Sequence, residues 1–152
     1  MMEISTITEL SNETVHFGCR TEPLETSGQR GGAGSNIRLW SGGVVPYVFT
    51  SSFTYTDRLT FAKAVEAIEA VTCLKFRGRT SERYYLRIER ECACGGSCFG
   101  GGYTDALGAG APRRLVIGSP CISPSSASGL GLVIHETLHA LGVIHTQTRP
   151  DR

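Results

Sequence analysis

One stretch near the C-terminus constrains this chain more than any other: His135-Glu136-Thr137-Leu138-His139-Ala140-Leu141-Gly142-Val143-Ile144-His145. His135 and His139 are four residues apart, so on a helix both imidazoles leave one face. Glu136 lies one step round that helix, where its carboxylate reaches a metal-bound water rather than the metal. Gly142 tolerates the positive φ that ends a helix and turns the chain sharply. The turn returns His145 toward the first two histidines. Three protein ligands suit one zinc ion and leave a fourth position open, the arrangement of a catalytic rather than a structural site.

A bare H-E-x-x-H occurs by chance as a helix with two surface histidines. Gly142 and His145 at fixed spacings remove most such matches, and three of the chain's four histidines fall in this span. The residues between them, Leu138, Ala140, Leu141, Val143 and Ile144, are apolar, as a half-buried helix and turn require.

The full pattern H-E-x-x-H-x-x-G-x-x-H resembles the zinc motif of the metzincin peptidases. Its continuation, Thr146-Gln147-Thr148-Arg149-Pro150-Asp151-Arg152, resembles the astacin family within that group. A second match lies upstream, where Trp40-Ser41-Gly42-Gly43-Val44-Val45-Pro46-Tyr47 is similar to the start of mature astacin domains. The resemblance covers residues 31–152 and leaves 1–30 as a pro-segment-like, mostly irregular stretch. It implies a secreted, disulfide-bonded zinc endopeptidase made as a zymogen. His135, His139 and His145 would hold zinc, and Glu136 would be the general base. The implied partners are a protein or peptide substrate and an activating protease. The rival implication is an astacin-like extracellular module that binds protein without cutting it, and the presence of Glu136 argues against that.

Three departures qualify the resemblance. Astacins usually carry Glu after the third histidine, where it holds the matured N-terminus; here Thr146 can hydrogen-bond but supplies no charge. Metzincins place a Met-turn downstream of the third histidine, but both methionines here are Met1 and Met2. Astacins also take a tyrosine from the downstream half, and all five tyrosines here precede His135. The chain is therefore expected to be the N-terminal part of a catalytic domain plus some pro-segment, inactive alone and without the specificity pocket.

Composition agrees with this reading. A net charge of +1 gives no cause to expect a nucleic-acid partner, and no apolar run is long enough to span a bilayer. The first ten residues lack the apolar core of a signal peptide, which conflicts with the secreted expectation. Six cysteines in 152 residues favour an oxidising compartment. By resemblance, Cys98 and Cys121 form a local disulfide, and Cys73 matches the cysteine that astacins tie to the far C-terminus. Cys92 and Cys94 are additional. The C-x-C-x-x-x-C run they form with Cys98 reads either as a loop pinned by disulfides or as a second metal site. Within residues 1–30, Asn12-Glu13-Thr14 is a glycosylation sequon. Cys19 follows Phe17-Gly18 and offers a thiolate that could block zinc. Arg30 sits in an exposed stretch suited to proteolytic nicking.

The remaining pattern predicts strands over Val44 to Thr50, Leu74 to Arg77, Tyr84 to Glu89 and Arg113 to Ile117. A helix capped by Thr56 or Asp57 should run to Val71, burying Leu59, Ala62, Val65, Ala67, Ile68 and Val71. Gly95 to Gly110 should be mostly loop, with a weak edge strand near Cys98 to Tyr103 that could receive extended peptide by strand addition. The expected fold is α+β: a zincin-like (metzincin) N-terminal subdomain, with a twisted mixed sheet and two main helices, one of them zinc-binding.

Overall fold

The computed structural model describes residues 37–91, 101–118 and 122–145. Trp40 leads into a 3-10 turn at Ser41–Gly43. Strand β1 (Val44–Phe49) follows, then helix α1 (Tyr55–Val71), strands β2 (Lys75–Gly78), β3 (Leu86–Arg90), β4 (Gly102–Thr104) and β5 (Arg113–Ile117), and helix α2 (Ala127–Ala140). The strands form one sheet in the order β2-β1-β3-β5-β4. β1 runs parallel to β2 and β3, and β3 runs parallel to β5, while β4 is antiparallel to β5. This is the mixed α+β architecture that the sequence predicts. Two parallel neighbours joined in sequence need a crossover, and α1 supplies it between β1 and β2.

Alternation along the strands sets the core. Val45, Phe76, Leu86, Ile88, Leu115 and Ile117 are all buried, and they join Phe61, Ala64 and Ile68 of α1 and Val133 and Ala140 of α2 in one cluster. Both helices therefore pack on one side of the sheet. Each buried aliphatic side chain in such a layer stabilises the fold by about 1.5–3 kcal/mol before entropy is counted.

Helix α1 differs from expectation at both its start and its face. It begins at Tyr55, capped by Thr54 rather than by Thr56 or Asp57. The Thr54 hydroxyl accepts from the Asp57 amide at 3.2 Å, and the Asp57 carboxylate accepts from the Thr54 amide at 2.9 Å. This reciprocal box satisfies two amides that the first helical turn leaves unpaired. Its phase buries Asp57, Thr60, Phe61, Ala64 and Ile68. Val65 is half-buried against the core, Ala62 and Ala67 are exposed, and Leu59 and Val71 stand 42% and 61% exposed. Asp57 is buried because it pairs with Arg90 at the end of β3: the Arg90 Nε donates to Asp57 Oδ2 at 3.0 Å and Nη2 donates to Oδ1. Smaller shifts occur elsewhere, with β3 starting at Leu86 rather than Tyr84. Tyr85 lies instead beneath the Arg79 guanidinium, 3.9 Å from its ring centre.

Among the described residues, no helix is long and apolar enough to cross a membrane. Cys73 is the one cysteine among them, and it is disulfide-bonded.

Candidate active site

Helix α2 carries His135, Glu136 and His139. Its N-terminus is capped by Ser126, whose hydroxyl accepts from the Gly129 amide at 3.2 Å. Its other end closes as a Schellman turn. The Val143 amide donates to Leu138 O at 3.0 Å and the Gly142 amide to His139 O at 2.9 Å. The turn requires a left-handed residue, and Gly142 has φ of +103°. A Cβ there would also sit 3.0 Å from Ile37 Cγ2. The Trp40 indole reinforces the same end by donating to Ala140 O at 2.9 Å. The upstream motif and the zinc-motif helix, a hundred residues apart, are thus joined at a buried hydrogen bond.

This turn swings His145 back onto the helix face. The three Nε2 atoms are separated by 3.1 Å (His135–His139), 2.9 Å (His139–His145) and 3.1 Å (His135–His145). Tetrahedral zinc with Zn–N bonds of ~2.05 Å needs N···N separations of about 3.3 Å, so the donor set fits within a few tenths of an ångström. The tautomer fits as well. His139 Nδ1 lies 2.7 Å from Val143 O, and a carbonyl only accepts, so Nδ1 carries the proton and Nε2 presents its lone pair to the centre. The carbonyl that orients His139 comes from the turn that Gly142 permits. These three histidines could hold a metal ion.

Glu136 points another way. Its residue is only 5% exposed, beside the sheet edge. The Thr104 hydroxyl donates to Glu136 O at 2.8 Å and lies 3.4 Å from Glu136 Oε2. A Cβ on Gly102 would come within 3.0 Å of Glu136 Cγ and 2.8 Å of Val116 O, so this part of β4 is held open by glycine. Sequence reading missed Thr104, Gly102 and the Trp40–Ala140 bond, because each depends on which segments the sheet brings together.

The structure thus brings His135, His139 and His145 together, while Glu136, on the same helix, lies against the edge strand. Cys19, Arg30, the Asn12 sequon, Cys92, Cys94, the Cys98–Cys121 pairing and Thr146 lie outside the described residues. So does the Cys98 to Gly100 part of the expected edge strand, and the described part, β4, extends to Thr104.

Comparison with known proteins agrees with this geometry. The family model for the astacin peptidases matches residues 33–152. Human tolloid-like protein 1 is 36% identical over 138 residues, an alignment that covers 86% of this chain and 12% of the relative. Zinc metalloproteinase nas-8 of Steinernema carpocapsae is 31% identical over 133 residues, covering 87% of this chain and 28% of the relative. Among solved structures, high choriolytic enzyme 1, a hatching enzyme zinc-protease from Oryzias latipes (medaka fish), superposes with a TM-score of 0.55 at 30% identity. That match covers 76% of this chain and 52% of the enzyme, so the chain spans about half the length of this neighbour and far less of the tolloid-like relative.

Proposed function

Because the chain belongs to the astacin family of peptidases, we propose that it contributes the metal-binding wall of a zinc endopeptidase active site. The observation that carries this reading is the convergence of three Nε2 atoms within 3.1 Å of one another, two of them from a helix that also carries a buried glutamate. His135, His139 and His145 are the proposed ligands. A zinc ion bound there would supply a Lewis acid that acidifies water and polarises the scissile carbonyl.

The chain's own residues do the rest. Glu136 takes a proton from the attacking water as its oxygen bonds to the carbonyl carbon. It then returns that proton to the amine nitrogen as the C–N bond breaks, so one water is consumed and an acid and an amine are released. Burial keeps bulk water from competing for the carboxylate, which lies against the sheet's edge strand. His139 is held in the ligating tautomer by Val143 O, and Gly142 keeps that carbonyl in place.

The test is Glu136→Ala in the full-length protein, assayed on an unfolded protein substrate. Cleavage should be lost while zinc is retained at the wild-type stoichiometry. Unchanged turnover would remove Glu136 from the mechanism.

Finer proposals rest on the same family membership. The protein is secreted and matured by cleavage after Arg30. With Thr146 in place of an acidic residue, maturation serves mainly to clear the cleft. Cys98 and Cys121 form a disulfide, which peptide mapping without reduction tests; recovery of Cys98 joined to Cys92 or Cys94 contradicts it.

A further inference from the structure

Strand β4 is three residues long, and two of the three meet the same residue of α2. Gly102 leaves the space that Glu136 Cγ fills, since a Cβ would lie 3.0 Å away. Thr104 bonds the Glu136 backbone carbonyl at 2.8 Å and stands 3.4 Å from its carboxylate Oε2. Glu136 is therefore touched along its length, at the backbone, at Cγ and at the carboxylate. Among the described residues, Thr104 provides the side-chain hydrogen bonds to it.

We propose that Thr104 is a positioning residue for Glu136: its hydroxyl, bridging the backbone carbonyl and the carboxylate, fixes the glutamate rotamer in which proton transfer occurs. The proposal rests on reading Glu136 as the general base. A glutamate side chain has three rotatable torsions and loses considerable freedom when fixed. A hydroxyl carries one proton, and here it is shared: the main arm goes to the helix carbonyl at 2.8 Å and the weaker arm to the Glu136 carboxylate at 3.4 Å. The main arm anchors the hydroxyl, and the weaker arm holds the carboxylate beside Gly102. Meeting the ordering cost in folding, rather than at each turnover, is how a preorganised group gains rate. The contact also ties the base to the sheet's edge strand, so a shift of β4 would move Glu136 with it.

Thr104→Val removes the hydroxyl and keeps the branched shape; Thr104→Ser keeps the hydroxyl. The first readout needs neither metal nor activity. Side-chain couplings of isotope-labelled Glu136, assigned by loss of its signal in Glu136→Gln, report its rotamers. Wild type and Thr104→Ser should show one dominant rotamer, and Thr104→Val should show averaged couplings. The second readout is peptide hydrolysis by the zinc-loaded full-length protein. Thr104→Val should lower kcat about threefold to tenfold, the net range of an ordinary hydrogen bond, with KM changed less than about twofold. Thr104→Ser should recover most of that loss. A Thr104→Val variant with the wild-type Glu136 rotamer and wild-type kcat, differing only in thermal stability, overturns the proposal. If Thr104→Val fails to fold, Thr104→Ala takes the same measurements with the same criteria. Wild-type protein that cleaves nothing while the rotamer result holds would refute the peptidase reading and with it the catalytic purpose of the contact, leaving only the rotamer constraint.

Discussion

Replacing Asp57 by Asn should destabilise the chain by about 3–5 kcal/mol, the usual cost of leaving a buried charge without its partner. The structure sets up that cost in three steps. Asp57 and Arg90 are 2% and 6% exposed, so water cannot take the place of either partner. The Asp57 carboxylate receives two N–H groups of Arg90 in a fork geometry, and asparagine cannot accept both as an anion. Asparagine still accepts from the Thr54 amide, so the capping box survives and the loss isolates the ion pair; Asp57→Ala should cost a further ~1 kcal/mol as the box is lost. Urea denaturation measures this directly. With a slope of ~1.5 kcal/mol per molar, the Asn variant should unfold about 2–3 M earlier. The pH dependence has a definite sign. Burial raises the Asp57 carboxyl, but bonds from Arg90 and Thr54 outweigh it and hold its pKa below the ordinary value. The pair's stabilisation is therefore fully present above the unfolded-state pKa of about 4 and is lost as pH falls through the lower folded value. The gap between wild type and Asp57→Asn should narrow as the solution is acidified below ~4. The double variant Asp57→Leu/Arg90→Met should recover most of the loss, because replacing a buried pair by apolar groups is often neutral. A single-variant cost under ~1 kcal/mol, or a gap that widens on acidification, would refute the reasoning.

Two further substitutions probe the end of α2. Trp40→Phe removes the indole donor and leaves Ala140 O short of a partner in a buried setting; stability should fall by about 1–3 kcal/mol by denaturant titration. Gly142→Ala forces an L-residue to φ of +103° and presses its Cβ toward Ile37. It should cost at least ~1–2 kcal/mol. It should also weaken zinc binding in a chelator competition, because His145 and the Val143 carbonyl both hang from that turn.

The zinc-motif helix was legible because its rules are local. Histidines four apart share a helix face whatever surrounds them, and glycine is the residue that takes a left-handed turn cheaply. Arg113–Ile117 was legible because a short apolar, β-branched run between turn residues has few other uses. The buried face of α1 was not legible. Apolar residues lie on more than one side of that helix, and its phase is set by the Thr54–Asp57 box and by Arg90, a residue on another element. Leu59 and Val71 satisfied the periodicity and still face solvent. Gly102 fell in the weak edge strand expected near Cys98 to Tyr103, but its contact and that of Thr104 with Glu136 gave no local signal, since they depend on β5 holding β4 against α2.

The most direct test of the central claim is to count the metal and its ligands. Elemental analysis of the purified full-length protein, with X-ray absorption at the zinc edge, reports both at once. One zinc per chain with an imidazole-rich shell, reduced by one imidazole and bound more weakly in His145→Ala, is the predicted result. A chain that binds no zinc in excess metal, or a zinc site that keeps its shell and affinity when His145 is replaced, would contradict the account.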